Sequence, residues 1–269
     1  MLKYFFLLFS ILVFSQSTKI DSLSNLINSS TSNKEKISLL IKRSKSYKPV
    51  EVDLPLKDAE LAVQLAKKED DAKLKVDALL QLAGINSRAN NFGKALELSI
   101  QANDFAKKEN YQLGELNATT GIGRNLMGLG KDKEAIVYIE NAKKIAIENN
   151  NTKELKNIYN ILGITYRKIG KFENSLEVFN QVIPLIDPKK ENKLLALMYM
   201  NKANTLNELS RYNEAIDNHL KALSIFEENQ DVKGIMQVNN NLVPLFIKVS
   251  QWEKAKKICS KNKILFKRK

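Results

Sequence analysis

Side chains that usually carry chemistry are scarce in this 269-residue sequence, which has one histidine, His219, and one cysteine, Cys259. A zinc site usually takes three or four nitrogen and sulfur ligands, and this chain does not offer that set. A single cysteine excludes an internal disulfide framework, and a single histidine leaves little material for nucleophilic catalysis. We therefore expect no metal, no cofactor and no enzyme activity, and we interpret the chain as a binding protein.

Long apolar runs are also lacking, except at the N-terminus. Lys3 precedes the apolar run Tyr4–Phe14, and Val13 and Ser15 are small enough for the −3 and −1 sites of signal peptidase. This run is too short to cross a hydrocarbon core of roughly 30 Å. We predict a signal peptide at residues 1–15 and a periplasmic or secreted protein, with an uncleaved anchor as the alternative. Because thiols in an oxidising compartment are safest when buried, we expect Cys259 inside a helix interface.

What the sequence does contain is a repeat. A small residue returns every 40 positions, and a looser copy is centred on Ala59, further upstream. Other small residues stand seven positions after and twelve positions before most of these anchors, which would let two helix axes approach closely. Between the two predicted helices of each unit stand residues that favour helix ends. The anchors are Ala95, Ala135, Ser175, Ala215 and Ala255, and the predicted turn residues are Asn90, Gly130, Gly170, Ser210 and Ser250.

Each unit is therefore predicted to be an antiparallel helix pair that buries its apolar face against its neighbours. The predicted pairs are 34–46 with 56–69, 72–89 with 92–109, 112–129 with 132–149, 152–169 with 172–186, 190–209 with 212–229, and 232–249 with 252–266. A short helix near 20–28 lies in a lead-in segment, 16–33, and the repeat array occupies 34–269. We expect Pro244 to bend its helix, because proline cannot donate to the Asn240 carbonyl.

The repeat resembles the tetratricopeptide repeat over roughly residues 37–265. The copy around Ser175 carries the resemblance best, through Tyr159, Leu162, Gly163, Tyr166, Phe172 and Phe179. The resemblance implies an all-α fold, a right-handed α-solenoid of about six stacked helix pairs, although the period of 40 exceeds the usual 34. Arrays of this period resemble those of bacterial peptide-sensing regulators. Residues 19–44 and 55–71 also resemble the sensor ends of many bacterial histidine kinases and helix-turn-helix regulators.

In tetratricopeptide proteins the first helix of each pair lines a concave groove, so the resemblance implies ligand-facing positions on these helices. Asparagine is frequent there, and its amide can both donate to and accept from an extended peptide backbone. Two arginines could pair with a ligand carboxylate. The alternative interpretation is a merely polar helix face in a chain rich in asparagine. The predicted groove residues are Asn117, Arg124, Asn157, Asn160, Arg167, Asn201, Asn204, Asn240 and Asn241.

The chain carries a net charge of +13, and much of it lies at the C-terminal end. Residues Lys248–Lys269 include nine basic residues and one acid, Glu253. This pattern predicts either a solvated last helix or weak contact with an anionic membrane, and we expect no nucleic-acid partner. Apolar residues on the last helix pair raise the alternative of a homodimer through that pair.

The predicted function is a non-enzymatic scaffold that is exported and binds an extended protein or peptide segment in the groove. The alternative is the sensory input module of a bacterial signalling or transcription-regulation system that lacks its output domain. His219 replaces Phe179 at the same repeat position, so we interpret it as a packed ring. The glycines of residues 121–131 do not match a phosphate-binding loop, because leucine follows Gly128 where that motif has lysine.

Overall fold

The structure, a computed structural model, describes residues 18–48 and 50–267, and side chains as far as residue 260. Within these ranges every long element is an α-helix and there is no strand, which confirms the all-α prediction. The helices are α1 (18–29), α2 (Asn33–Ser46), α3 (Asp53–Ala66), α4 (Ala72–Arg88), α5 (Phe92–Lys108), α6 (Gln112–Gly128), α7 (Asp132–Glu148), α8 (Thr152–Lys168), α9 (Phe172–Val182), α10 (Asn192–Glu208), α11 (Tyr212–Glu228), α12 (Val232–Lys248) and α13 (Trp252–Lys267). The predicted signal segment, residues 1–15, lies outside the described residues.

Several helix boundaries differ from the predicted ones by one to four residues, and proline explains two of them. Helix α3 begins at Asp53, earlier than predicted, because Pro55 is tolerated in a first turn whose N–H groups have no helical partner. Helix α9 ends at Val182, and a short 3₁₀ turn, Ile183–Leu185, follows because Pro184 cannot donate to the helical ladder. In contrast, α12 continues through Pro244 as one α-helix.

The predicted turn residues close the helices. The backbone φ angles of Asn90, Gly130, Gly170, Ser210 and Ser250 are 61°, 74°, 78°, 58° and 59°, in the left-handed region. The next residue in each case donates its N–H to a carbonyl five positions back, at 2.7–2.9 Å. These bonds satisfy carbonyls that a helix end would otherwise leave without partners. Glycine, asparagine and serine therefore recur every 40 residues because each hairpin needs the same left-handed cap.

The chain divides into two compact units, residues 1–145 and 146–269, and the boundary falls within α7. Unit 1 has a core built on alanine and aliphatic residues of α2 to α6, including Leu40, Val76 and Ala102. Unit 2 has a core of aromatic and aliphatic residues of α9 to α13, including Phe179 and Leu242. Each unit is thus a stack of helix pairs around its own apolar interior. The predicted segment boundaries 1–15, 16–33 and 34–269 stay predictions.

The small anchor residues lie at close contacts between helices. Ala95, Ala135, Ser175 and Ala215 are fully buried, and Ala255 is 5% exposed. The Ser175 hydroxyl donates to the Gly163 carbonyl at 2.7 Å, which explains how serine replaces alanine there. A methyl group added to Gly163 would lie 2.5 Å from the Phe179 ring. The predicted close approach of the two helices is therefore confirmed.

We expect Gly163→Ala to destabilise the protein by about 1–3 kcal/mol, because the new methyl group would overlap the fully buried Phe179 ring. The matched control is Gly84→Ala on α4, where an added methyl group meets nothing within 4 Å. That change should stabilise the protein by up to about 1 kcal/mol through helix propensity. Urea unfolding monitored by circular dichroism measures both effects, and equal midpoints for the two variants would contradict the packing argument.

His219 is a packed ring, as predicted, since its side chain is 1% exposed on α11. No described residue accepts from or donates to its buried Nδ1. Burial lowers the pKa of His219 to about 4, because the charged imidazolium loses hydration there. Cys259 stands at the corresponding position of α13 and is exposed, so the prediction that it is buried is wrong. In the described part of the chain, no helix covers that face of α13 as α12 covers α11.

The His219 environment makes stability depend on pH in a defined direction. The folded-state pKa lies below the ordinary value of 6.5, so the unfolded chain takes up the proton first as the pH falls. The neutral, buried ring thus contributes to the free energy of unfolding by an amount on the order of 3 kcal/mol. This stabilisation is fully present above about pH 6.5 and is lost as the pH falls toward 4. His219→Phe, which places here the residue found at position 179, should remove that loss. Thermal unfolding of both proteins at pH 7 and pH 4 tests this prediction. An equal decrease in unfolding temperature for the parent protein and the variant would refute it.

Candidate functional site

The predicted groove residues lie on the first helices of the pairs and fall into both units. Asn117 and Arg124 lie on α6 in unit 1, where Asn117 is half-buried and Arg124 is exposed. The others lie in unit 2, on α8, α10 and α12. These are Asn157, Asn160, Arg167, Asn201, Asn204, Asn240 and Asn241. The structure brings several of these seven together.

Two pairs of asparagine amides connect successive first helices in unit 2. The Nδ2 of Asn201 on α10 donates to the Oδ1 of Asn160 on α8 at 2.8 Å. The Nδ2 of Asn241 on α12 donates to the Oδ1 of Asn204 on α10 at 3.1 Å. An amide offers two donors and an acceptor with two lone pairs, so each pair uses only part of this capacity. The amide face of α8, α10 and α12 is thus both a link between helices and a set of oriented polar groups.

The donors of these pairs share one repeat position, fourteen residues before the anchor. Gln81 occupies this position on α4 in unit 1, and its Nε2 donates to the Ser44 hydroxyl on α2 at 2.8 Å. In three repeats, therefore, an amide at this position donates back to the preceding first helix. Asn201 is only 9% exposed, whereas Asn160, Asn204 and Asn241 are half-buried and Asn240 is exposed. The amide of Asn201 therefore serves mainly to connect α10 with α8, whereas the other three paired asparagines are more accessible to solvent.

The remaining predicted residues of unit 2 lie on α8. Asn157 is half-buried, and its Nδ2 donates to Glu154 of the same helix at 3.3 Å. Arg167 is half-buried, and none of the described residues accepts a hydrogen bond from its buried Nε. A buried guanidinium N–H without an acceptor is costly unless an anion or water supplies one. Arg167 is therefore the side chain of this set that is best suited to receive a carboxylate.

The three first helices of unit 2 are strongly basic. Helices α8, α10 and α12 carry eight basic and two acidic residues. Lys156 on α8 is 8% exposed and forms an ion pair of 2.5 Å with Glu191 at the start of α10, which holds these helices in register. The Lys156 ammonium lowers the pKa of Glu191 through this hydrogen bond. These three helices therefore combine neutral amides with an excess of positive charge.

Unit 1 presents a different set of groups on its first helices. The hydroxyl of Tyr111 donates to Asp77 on α4 at 3.1 Å, and the Lys73 ammonium lies 5.1 Å from the centre of the Tyr111 ring. Burial raises the pKa of Asp77, and burial followed by the Asp77 charge raises the pKa of Tyr111 to about 12. The amide pairing seen in unit 2 has no counterpart between α4 and α6 at these residues.

The contacts of Lys248 are not predicted by the sequence, in which this residue appears as part of the basic C-terminal end. Its ammonium instead contacts the preceding helix pair, at 3.0 Å from the Asn207 Oδ1 and 4.6 Å from the centre of the Tyr212 ring. The available signal was its position, forty-one residues after Asn207, which places both on the same side of the stack. The predicted membrane contact of Lys248–Lys269 and the predicted homodimer stay predictions.

The described residues contain no cluster of three or more histidine, cysteine or acidic side chains that could hold a metal ion. Within the same ranges, no helix is long and apolar enough to cross a membrane. What the site offers chemically is hydrogen bonding and positive charge.

Comparison with known proteins agrees with this description. The sequence profile of the tetratricopeptide repeat matches residues 157–185, which form the pair α8 and α9. Subunit 4 of the outer dynein arm-docking complex from Danio rerio is 27% identical over 172 residues, which are 61% of this chain. The chain spans about a third of the length of that relative, 34%.

Solved structures share the fold at low sequence identity. The apo quorum sensor NprR from B. thuringiensis aligns with a TM-score of 0.72 and 13% identity, over 94% of this chain and 76% of that one. A Rap protein in complex with Competence and Sporulation Factor aligns with a TM-score of 0.65 and 18% identity, over 96% and 72% of the two chains. The chain thus carries a tetratricopeptide repeat and has the tetratricopeptide-like α-solenoid fold, as the sequence predicts. That fold is typical of non-catalytic scaffolds.

Proposed function

We propose that this protein is an exported, non-enzymatic scaffold that binds an extended protein or peptide segment on the first helices of unit 2. The amide face of α8, α10 and α12 carries this proposal. Asn160, Asn204 and Asn241 are half-buried and oriented by amide–amide hydrogen bonds of 2.8 and 3.1 Å. Side chains that are already held in place lose less conformational entropy on binding. An extended backbone presents N–H and C=O groups alternately, which matches the donors and acceptors that the pairs leave over.

The charge of the site favours a ligand with carboxylate groups. Helices α8, α10 and α12 carry eight basic residues and two acids, and seven of the basic residues remain once Lys156 is paired with Glu191. This excess of positive charge attracts negative charge, and Arg167 has a buried Nε in need of an acceptor. Arginine can hold a carboxylate through two parallel hydrogen bonds. In unit 1, Asn117 and exposed Arg124 stay predicted ligand contacts. The likeness to a Rap protein solved with Competence and Sporulation Factor supports a ligand-binding role for this fold.

The alternative function is the sensory input module of a bacterial signalling or transcription-regulation system. The likeness to the quorum sensor NprR favours it, at 94% coverage of this chain. An adjacent gene for a kinase or a transcription regulator would favour the sensor over the stand-alone scaffold.

Replacement of one amide pair should separate ligand binding from stacking. We expect Asn160→Ala with Asn201→Ala to weaken binding about tenfold, because both oriented amides are lost together. The measurement selects binders from a displayed library of random twelve-residue peptides and compares their Kd values by fluorescence anisotropy. Removing both partners leaves no unpaired amide, so the fold should tolerate the double change.

The matched control is a third amide pair of unit 2, which does not include any of the predicted groove residues. Asn192 donates to the Oδ1 of Asn229 at 3.3 Å, so Asn192→Ala with Asn229→Ala removes a comparable contact. Peptide affinity should be unchanged in that control. If the selected peptides bound both double variants as tightly as the parent protein, the amide face would be a stacking device and the proposal would fail.

The proposed export predicts where the N-terminus of the mature protein lies. Residues 1–15 have the order of charge, apolar run and small residues that signal peptidase recognises, so the exported chain should begin near Gln16. N-terminal sequencing of the protein recovered from the periplasm or medium measures this. Recovery of an intact Met1 from the membrane fraction would support the uncleaved anchor instead.

A further inference from the structure

An apolar groove of about 450 Å³ lies between α12 and α13 in unit 2. It is lined by Val243, Ile247, Trp252, Ala255, Lys256 and Cys259, together with a serine. Ile247 and Trp252 are 41% and 55% exposed, although isoleucine and tryptophan side chains are usually buried in folded proteins. Within the described ranges of the chain, this face of the α12–α13 pair has no helix packed over it.

The repeat register shows what kind of element fits this groove. The corresponding positions of the preceding pair, α10 and α11, lie forty residues earlier and include Ala203, Tyr212, Ala215 and His219. There, α12 packs over the pair: Leu242 of α12 shares a core with Ala215, Asn241 bonds to Asn204, and Lys248 contacts Tyr212. Ala215 and His219 are consequently 0% and 1% exposed. The groove on α12 and α13 is thus the same docking surface for a helix, shifted by one repeat.

The charge around the groove specifies the helix further. Helix α13 contains six lysines against one glutamate, and that glutamate, Glu253, is bound to Lys256 at 2.9 Å. A second copy that docked through its own α13 would bring two such lysine-rich helices together, which electrostatic repulsion disfavours. A helix with acidic side chains flanking its apolar face would instead be complementary in charge.

We propose that the α12–α13 groove binds an acidic amphipathic helix of a partner protein. The inference differs from that for the amide face in the conformation of the ligand and in its use of α13, although Val243 and Ile247 of the groove lie on α12. Trp252 lies at the groove and is the one tryptophan of the chain, so its fluorescence reports occupancy directly.

The probes are two synthetic peptides derived from α12, the helix that occupies the equivalent groove. Both keep the residues of Val232–Lys248 that are buried in the structure, such as Val238 and Leu242. One carries glutamate, and the other lysine, at positions 233, 237, 240, 244 and 248. The full chain is titrated with each peptide while Trp252 emission is recorded. We expect the acidic peptide to shift the emission to the blue and to bind at least about tenfold more tightly than the basic one, with affinity falling as salt rises.

Variants of the groove keep the test specific. Ile247→Glu should abolish the shift with the acidic peptide, whereas Leu220→Glu, at a leucine of α11 that is 42% exposed and outside the groove, should not. Lys256→Glu should weaken the acidic peptide and strengthen the basic one, which a merely misfolded variant would not do. Far-ultraviolet circular dichroism checks that each variant is folded. Cys259→Glu, at a groove residue on α13, should also abolish the shift, and it should leave binding of the library-selected extended peptides unchanged.

Several outcomes would overturn the proposal. No emission shift with either peptide, or equal affinity for both, would show that the groove is not a site for an acidic helix. A shift with phosphatidylglycerol vesicles but not with the acidic peptide would assign the surface to lipid. An emission shift that grows with protein concentration alone, together with a dimer in sedimentation, would assign it to a second copy of the chain.

Discussion

Close contact between helices at small residues is the constraint on which the remaining structure depends. At Gly163 the Phe179 ring occupies the space that a methyl group would need, and at Gly123 the Ile139 side chain does the same. Protein interiors are close-packed, so such contacts fix both the separation and the axial offset of two helices. Once that offset repeats every 40 residues, the same positions of successive pairs face one another. The amide pairs, the left-handed caps and the apolar cores all follow from this repeated geometry.

The asparagines of unit 2 illustrate how one residue type serves stacking and presents a polar face. Asn201 is nearly buried and connects α10 to α8, while Asn240 on the next helix is exposed. A buried amide must be paired, because an unpaired one costs roughly 1–3 kcal/mol. The exposed amides carry no such requirement. Access to solvent therefore distinguishes Asn201, which has to stay paired, from the asparagines that we propose as ligand contacts.

Equivalent repeat positions on two neighbouring helix pairs differ in burial. On α11 the helix α12 covers His219, whose pKa falls because the ring has lost its hydration. On α13 the corresponding residue, Cys259, is exposed beside Trp252 in an apolar groove. The two sites differ in what is packed over them and not in their place in the repeat. The lysines of α13 beside the second site favour a partner helix with negative charge.

The sequence by itself determined the helix pairs, their boundaries to within a few residues, the turn residues and the buried anchors. These follow from period, side-chain size and capping, which act over one or two helical turns and are visible in the order of residues. Only the tertiary structure decided that Asn201 pairs with Asn160, that Lys248 reaches Asn207, that Cys259 is exposed and that the chain forms two compact units. Such features depend on side-chain conformations and on which surfaces meet across about 40 residues of sequence, and no local pattern specifies them.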